Sequence, residues 1–449
     1  MQRKLIAGVS GLRGVVGESL TPDLLVRYSS AFGNLCKSGK VVVGRDSRVS
    51  GDMARHAVTS GLLSTGCQIV DLGICATPTV EMAVEGLKAR GGIIITASHN
   101  PIQWNALKFV GVDGIFLSEK ENRKLVELVD CDKIVYQPWN RLGKISFDDS
   151  WSKRHVDRIL GLSCINVQKI KARKFRVVVD CCNGAGGVVS PFLLKALGCS
   201  VVELNCKPDG MFSHDPEPVA ANLTTLCQAV RKNRADLGFA NDPDVDRLAI
   251  VSEKGIPLGE EATLALVTKF ILSQKPNSNV VANISTSRMI DHVAGELGSK
   301  VFRTKVGEAH VARKLKEVRG AVGGEGNGGV ILPELHYGRD ALVGMALILQ
   351  YLVESDESIS RLASELPQYF MIKKKVKLTP SFEKNLPRLK RQFSGGKVNT
   401  LDGMRIDFED SWLQVRKSNT EPKVRIIAEA KSKKEASTLV TDALKILDS

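Results

Sequence analysis

Four short stretches of this chain carry side chains suited to group transfer. The segment from Ile93 to Phe109 reads IIITASHNPIQWNALKF. Its β-branched run predicts a buried strand. Pro101 then ends regular pairing and restricts Asn100, leaving Ser98 at the strand's end beside His99. A hydroxyl presented in this way is a candidate nucleophile. The same residues would also form an ordinary Asx or Ser/Thr turn that satisfies its own backbone.

The second stretch, Ala240 to Ile250, reads ANDPDVDRLAI and places Asp242, Asp244 and Asp246 at alternate positions ahead of Arg247. Three carboxylates this close repel one another unless a cation sits among them, and an oxygen-only set suits Mg²⁺. Asp242, Asp244, Asp246 and Glu253 also fit positions 1, 3, 5 and 12 of an EF-hand loop. That comparison fails at position 6, where Arg247 replaces the glycine needed for the sharp turn, and no flanking helices are predicted. A catalytic Mg²⁺ site is the reading set against a merely solvated acidic turn.

The third stretch, Gly323 to Gly329, is GGEGNGG. Gly324, Gly326 and Gly329 satisfy G-x-G-x-x-G, yet no βαβ unit opens here and Pro333 soon blocks a helix, which argues against a dinucleotide site. The expectation is a flexible loop offering Glu325 and Asn327 to hydroxyl groups, with a plain turn as the alternative. The fourth stretch, Arg416-Lys417-Ser418-Asn419-Thr420-Glu421-Pro422, combines cations, hydroxyls and an amide between two strands. That mixture suits a phosphate. No G-x-x-x-x-G-K-[ST] sequence is present, which argues against P-loop nucleotide hydrolysis.

The elements that must position these loops show a repeat. Val41 to Val43, Val177 to Val179, and Val280 to Ala282 each lead through a polar loop and a helical stretch to a glycine and a second strand, at Gly66, Gly198 and Gly298. Each reads as a right-handed βαβ crossover, which predicts three similar α/β domains with mixed sheets. After about Pro367 the pattern changes to alternating runs at Gly403–Phe408 and Trp412–Val415, followed by an amphipathic helix over Lys433–Leu447, the marks of a smaller α+β domain. The predicted boundaries are 1–150, 151–252, 253–368 and 369–449, with the domains arranged around a central cleft.

Composition agrees with a multi-domain globular protein: 449 residues, 43% hydrophobic and 25% charged. The start of the chain lacks a signal-peptide core. The longest apolar segment, Ala341 to Val353, is too short to span a bilayer and reads as a buried helix, so no membrane partner is expected. All 10 cysteines lie between Cys36 and Cys227 without zinc-like spacing, which suggests small core residues in a reducing cytoplasm. The net charge of +14 raises nucleic-acid binding. Against it stand a single short basic run, Lys373 to Lys375, and an aromatic content of 5%, so a small anionic substrate is the preferred use of that charge.

Taken in order, the four stretches resemble the α-D-phosphohexomutase family, which includes phosphoglucosamine mutase and phosphomannomutase/phosphoglucomutase. Val9-Ser10-Gly11-Leu12-Arg13-Gly14, Gly44-Arg45-Asp46-Ser47-Arg48, Pro208-Asp209-Gly210 and Pro216-Glu217-Pro218 extend the resemblance over essentially the whole chain. It implies an intramolecular phosphotransferase that interconverts hexose 6-phosphate and hexose 1-phosphate. It further implies a phosphoserine at Ser98, a bound hexose 1,6-bisphosphate intermediate, and Mg²⁺ held by Asp242, Asp244, Asp246 and Ser98. Arg13, Lys108 and Arg247 would stabilise the transferring group, and Lys108 or His99 would shuttle a proton. Glu325 and Asn327 would hold sugar hydroxyls, and Arg416, Ser418, Asn419 and Thr420 the other phosphate. A cytosolic monomer or homodimer is expected.

The chain departs from the family pattern in places. Asn105-Ala106 stands where many members have Asn-Gly, and Asn327 and Gly329 replace the Ser and His of a Glu-x-Ser-Gly-His loop, leaving His336 or His310 as other sources of an imidazole. The Glu-Gly-Asn-Gly-Gly form is most similar to an archaeal-type branch, in which glucosamine phosphate is the first substrate expectation and mannose or glucose phosphates the alternative. A sugar-phosphate- or polyanion-binding protein without turnover is the alternative of another class.

Overall fold

The valine-rich runs form strands because β-branched side chains suit a pleated, doubly covered surface, and Val41, Val42, Val177, Val178, Val179, Val280 and Val281 are all fully buried. A computed structural model describes residues 6–8, 11–379, 381–418 and 423–447. Its strands make sheets of seven, four, four and five members.

The three expected crossovers are present. Strand Lys40–Arg45 pairs in parallel with Gln68–Ile74, Arg176–Asp180 with Ser200–Leu204, and Val280–Asn283 with Val301–Thr304. In each sheet a third strand, Gly91–Ile95, Leu237–Asn241 or Val322–Glu325, adds in parallel on the other side of the first. In each, a fourth strand then folds back antiparallel: Trp104–Val110, Leu248–Ser252 or Gly329–Ile331. The connection between third and fourth strands is therefore the same topological position in all three units. It holds Ser98 in the first, the triple aspartate in the second, and Glu325-Gly326-Asn327 around the third.

The fourth sheet is antiparallel, with Phe370–Lys377, Lys423–Ala430, Trp412–Lys417, Met404–Asp407 and Lys397–Asn399 in spatial order. The helix Lys433–Leu447 packs against it. The Ala341 segment forms a helix, Ala341–Ser355, buried nearly all round in a core shared by the second and third units. Asp340 caps it by accepting from the backbone N–H groups of Leu342 and Val343, at 2.8 and 3.3 Å. Among the described residues no helix is long and apolar enough to cross a membrane. All ten cysteines are free thiols.

One expectation is corrected. The glycine-rich stretch is a tight β-hairpin, not a flexible loop: Gly323 pairs with Ile331, Gly324 with Val330, and Glu325 with Gly329. Glycine is required there by geometry, since Gly328 has φ +87° and a Cβ on Gly324 would lie 2.0 Å from the Gly329 carbonyl oxygen.

Candidate active site

The serine turn is held from below by Arg48, which is only 1% exposed. Its Nη2 donates to the carbonyls of Ser98 and Asn100 at 2.6 and 2.7 Å, and its Nη1 to those of Pro101 and Trp104 at 2.9 Å each. Asp46 fixes the Arg48 Nε at 3.0 Å and also accepts from the Thr96 hydroxyl at 2.6 Å. Thr96 Oγ1 in turn accepts the Ser98 backbone N–H at 3.0 Å. With its backbone fixed, Ser98 adopts a left-handed conformation, φ +49°, uncommon outside glycine and asparagine. The strained turn aims its hydroxyl across the domain boundary, where it donates to Asp242 Oδ2 at 2.7 Å.

The aspartates offer carboxylate oxygens that all lie within 4.8 Å of one another. Asp242 Oδ1 accepts the backbone N–H groups of Asp246 and Arg247, both at 3.1 Å, which curls the loop around it. Asp244 Oδ2 accepts from Lys108 at 2.6 Å and from Thr77 at 2.8 Å, and Asp246 Oδ2 accepts from Arg339 at 2.5 Å. The other oxygens, Asp244 Oδ1 and Asp246 Oδ1, are buried and have no hydrogen-bond partner. Asp244 and Asp246 thus each have one oxygen anchored and its twin without a hydrogen bond, Asp242 turns Oδ2 to the Ser98 hydroxyl, and the set fits Mg²⁺. Between Asp244 and Asp246, Val245 sits at φ +65°, a costly conformation for a β-branched residue that the surrounding contacts enforce.

The electrostatics point the same way. Burial, reinforced by Asp246 and Asp244, pushes the Asp242 carboxyl well above its ordinary value. Burial also opposes ionisation of Asp244, but Lys108 and Thr77 outweigh it and hold that carboxylate low. For Lys108, burial acts to lower the value and Asp244 and Asp246 more than reverse it, so the ammonium keeps its proton. His99, partly buried, is driven well below the usual histidine range by burial and by Arg247 and Arg13, leaving a neutral ring whose Nδ1 is 3.3 Å from Ser98 Oγ.

Arg339, which sequence reasoning did not single out, joins two of the loops. Beyond Asp246 it donates to Glu325 at 2.7 Å through Nη1 and to Glu308 at 3.0 Å through Nε. Glu325 is held further by Asn283 at 2.7 Å and by the Gly307 N–H at 2.9 Å, so its carboxylate stays ionised and cannot take up a proton readily. Asn327 lies at the hairpin tip, its Oδ1 accepting the Gly329 N–H at 3.2 Å.

These groups surround one cavity of about 650 Å³. Arg13, Ser98, His99, Lys108, Arg247, Glu325, Asn327, Arg416 and Ser418 all line it, and the aspartates lie buried beneath Ser98 and Lys108. Arg13 donates to the Asn100 side chain at 2.5 Å, and Arg247 stands 3.7 Å from Asp246 and 3.8 Å from Glu217. Lys374, Lys375 and Arg425 add positive charge beside Arg416 on the sheet of the fourth domain. Asn419 and Thr420 lie outside the described residues. Of the two alternative histidines, His310 lines the cavity. His336 instead sits in a buried cluster with Asp340 at 3.2 Å, where His155 meets the same carboxylate oxygen at 2.8 Å.

Arg48 belongs to the Gly44-Arg45-Asp46-Ser47-Arg48 segment quoted from the sequence, but its hold on the serine turn was not assigned there. No local signal exists for Arg339, whose partners are 14, 31 and 93 positions away.

The similarities to known proteins run the length of the chain. Residues 4–133, 153–255 and 260–370 match alpha/beta/alpha domains I, II and III of phosphoglucomutase/phosphomannomutase, and residues 374–446 match its C-terminal domain. A protein of Methanopyrus kandleri named probable phosphoglucosamine mutase is 40% identical over 438 residues, covering 96% of this chain and 95% of that one. A Thermococcus kodakarensis protein named phosphoglucomutase/phosphomannomutase is 39% identical over 449 residues, with 98% of both chains covered. The crystal structure of a phosphoglucomutase/phosphomannomutase family protein from Burkholderia thailandensis superposes with a TM-score of 0.87 at 29% identity, covering 99% of this chain and 97% of that one. This chain belongs to the phosphoglucomutase/phosphomannomutase family, the α-D-phosphohexomutases.

Proposed function

We propose that this phosphohexomutase interconverts glucosamine 6-phosphate and glucosamine 1-phosphate, with Ser98 carrying the phosphoryl group in the resting enzyme. The observation that carries the proposal is the Ser98 hydroxyl, 2.7 Å from Asp242, at the edge of a carboxylate triad with two partnerless oxygens. Relatives named for glucosamine phosphate and for glucose and mannose phosphates are about equally similar to this chain, so substrate preference is a matter for direct measurement.

In the first half-reaction the bond between phosphorus and Ser98 Oγ breaks as a bond from the sugar's free hydroxyl oxygen forms. The hydroxyl proton must leave, and we assign its movement to His99, neutral and facing Ser98. Lys108, Arg13 and Arg247 supply fixed positive charge to the equatorial phosphoryl oxygens, which is where charge accumulates in a loose transition state. Asp242, Asp244 and Asp246, together with a phosphoserine oxygen, would hold Mg²⁺, which supplies Lewis-acid stabilisation of the transferring group. Arg416 and Ser418 hold the phosphate that is not reacting, while Glu325 and Asn327 receive sugar hydroxyls. The bisphosphate then turns over in the cavity and returns its other phosphate to Ser98, which regenerates the enzyme and releases the isomeric monophosphate.

Intact-mass measurement should find one phosphate on Ser98, and Ser98→Ala should abolish turnover while the protein still folds. Full activity of Ser98→Ala in the presence of Mg²⁺ and bisphosphate would refute the phosphoserine. The comparison of kcat/KM for glucosamine, glucose and mannose phosphates decides the substrate, and higher values for glucose or mannose phosphates would replace glucosamine in the proposal.

A further inference from the structure

Two adjacent carboxylates in the cavity wall share a single flexible lysine. Glu308 and Glu325 share Arg339, and Glu217 faces Arg247. Glu260 and Glu261, at the start of the helix Glu260–Gln274, share only Lys373, which lies 2.9 Å from Glu260 but 3.4 Å from Glu261. The corner therefore holds two negative charges against one positive. A third carboxylate, Glu429, lies behind it with one oxygen buried and partnerless. A pocket that must take phosphates gains nothing from such a corner.

Its position is specific. Glu261 packs flat against Gly326 in the centre of the sugar-facing hairpin: a Cβ on Gly326 would fall 1.8 Å from Glu261 Oε2 and 2.3 Å from its Cδ. Glycine at 326 is thus what allows a carboxylate to lie beside the hydroxyl-binding groups of Glu325 and Asn327. Glu261 Oε2 accepts the Ser287 backbone N–H at 3.0 Å, which fixes the orientation of the group. Its Oε1 has only the long contact to Lys373 and retains acceptor capacity towards the cavity. Its side chain is 15% exposed. Burial, against a smaller opposing effect from Lys373, raises the carboxyl to about 7.

We propose that Glu261 is the specificity-determining residue for an amino sugar, accepting a hydrogen bond from the 2-ammonium group of a 2-amino-2-deoxyhexose phosphate. The inference rests on the glucosamine reading above. An amine on the sugar ring is protonated near neutral pH and donates where a 2-hydroxyl offers no charge, and a hydrogen bond between ammonium and carboxylate is among the stronger kinds. The site would hold the ammonium between Glu261 and the hydroxyl contacts of the hairpin.

The test is the ratio of kcat/KM for glucosamine 6-phosphate to that for glucose 6-phosphate, measured on the same preparation so that loss of folded enzyme cancels. In Glu261→Gln the amide oxygen can still accept from Ser287, and the ratio should fall roughly ten- to a hundredfold relative to wild type, chiefly through KM for the amino sugar. Gly326→Ala, which pushes the carboxylate away without removing it, should lower the same ratio. Lys373→Met, which removes the competing ammonium, should raise it. An unchanged ratio in Glu261→Gln, with wild type preferring glucosamine phosphate, overturns this inference and leaves the substrate reading intact. A wild-type enzyme that prefers glucose phosphate overturns both.

Discussion

Replacing Arg339 by methionine isolates the ionic link between the aspartate loop and the Glu325 hairpin. In the wild type one buried guanidinium serves Asp246, Glu325 and Glu308 at 2.5, 2.7 and 3.0 Å. Methionine fills a similar volume but leaves carboxylates in a low-dielectric site without their cation, and breaking a buried pair in this way costs about 3–5 kcal/mol. Spread over a cooperative unit of about 200 residues, in which 1 kcal/mol moves the midpoint about 2–4 °C, the transition that includes the second and third domains should fall by about 6–20 °C. The kcat should fall at least about tenfold as well, because Asp246 and Glu325, the proposed metal and sugar ligands, lose their common anchor.

A double-mutant cycle tests the cause. Glu308→Gln removes one of the carboxylates that Arg339 neutralises, so the combined variant should be at least about 1 kcal/mol more stable than the sum of the single effects. Arg339→Lys should be intermediate, since a single ammonium cannot meet three carboxylates with the geometry of a planar fork. Calorimetry gives the midpoints and steady-state assays the kcat. An Arg339→Met protein melting within about 1 °C of wild type, or strictly additive single effects, would refute the electrostatic reasoning.

Other consequences are equally measurable. Arg48→Lys loses the fork that spans four carbonyl oxygens beneath Ser98, and it should lower kcat at least about tenfold together with the stoichiometry of Ser98 phosphorylation; unchanged values of both would remove the clamp from the argument. Mg²⁺ at about 100 times its Kd should stabilise the protein by about 2.7 kcal/mol, and Asp244→Asn should abolish most of that gain; an equal gain in the variant would place the ion elsewhere. Glu81 is buried with neither carboxylate oxygen hydrogen-bonded, His336 Nδ1 standing 3.7 Å away, and burial together with the neighbouring Glu308 raises its value well above normal, so the folded protein keeps a proton that the unfolded chain releases near about pH 4.3. That contribution is complete below the unfolded value and is lost as the pH rises towards the folded one, so Glu81→Gln should gain stability over wild type at pH 8 but not at pH 4; the opposite trend in denaturation would contradict the assignment.

Much of the candidate site was legible because it is local. A hydroxyl at a strand end and alternating aspartates can be picked out within a few residues, and the three valine-led repeats announced the crossovers that carry them. Glycines hid the hairpin at Glu325, since a glycine run weakens the alternation that marks a strand while providing the φ values its turn requires. Arg339, Glu261 and the clamping role of Arg48 were hidden for another reason. Each acts on backbone or side chains far away in sequence, and an isolated arginine or glutamate on a helical or loop segment is most simply read as surface charge. Their roles exist only once the third and fourth strands of neighbouring sheets face one cavity.

That convergence explains the division of labour among domains. Because Ser98, the aspartates and the Glu325 hairpin occupy the same connection in three copies of one topology, no single domain can assemble the site, and each contributes one kind of group. The second and third units share an apolar core, so their relative position is set by packing. The first unit adds Ala76 and Met82 to that core and packs Ile115 on Ala309 and Ala312, but at the site itself it meets the others through polar contacts: Ser98 to Asp242, Lys108 and Thr77 to Asp244, and the Ser47 hydroxyl to the Asn183 carbonyl at 2.7 Å. Directional contacts fix distance more finely than dispersion does, and phosphoryl transfer is sensitive to misplacement of a fraction of an ångström. Core substitutions in the shared second and third units should therefore lower stability with kcat of the folded fraction retained, whereas polar substitutions at the first unit's boundary should lower kcat before stability.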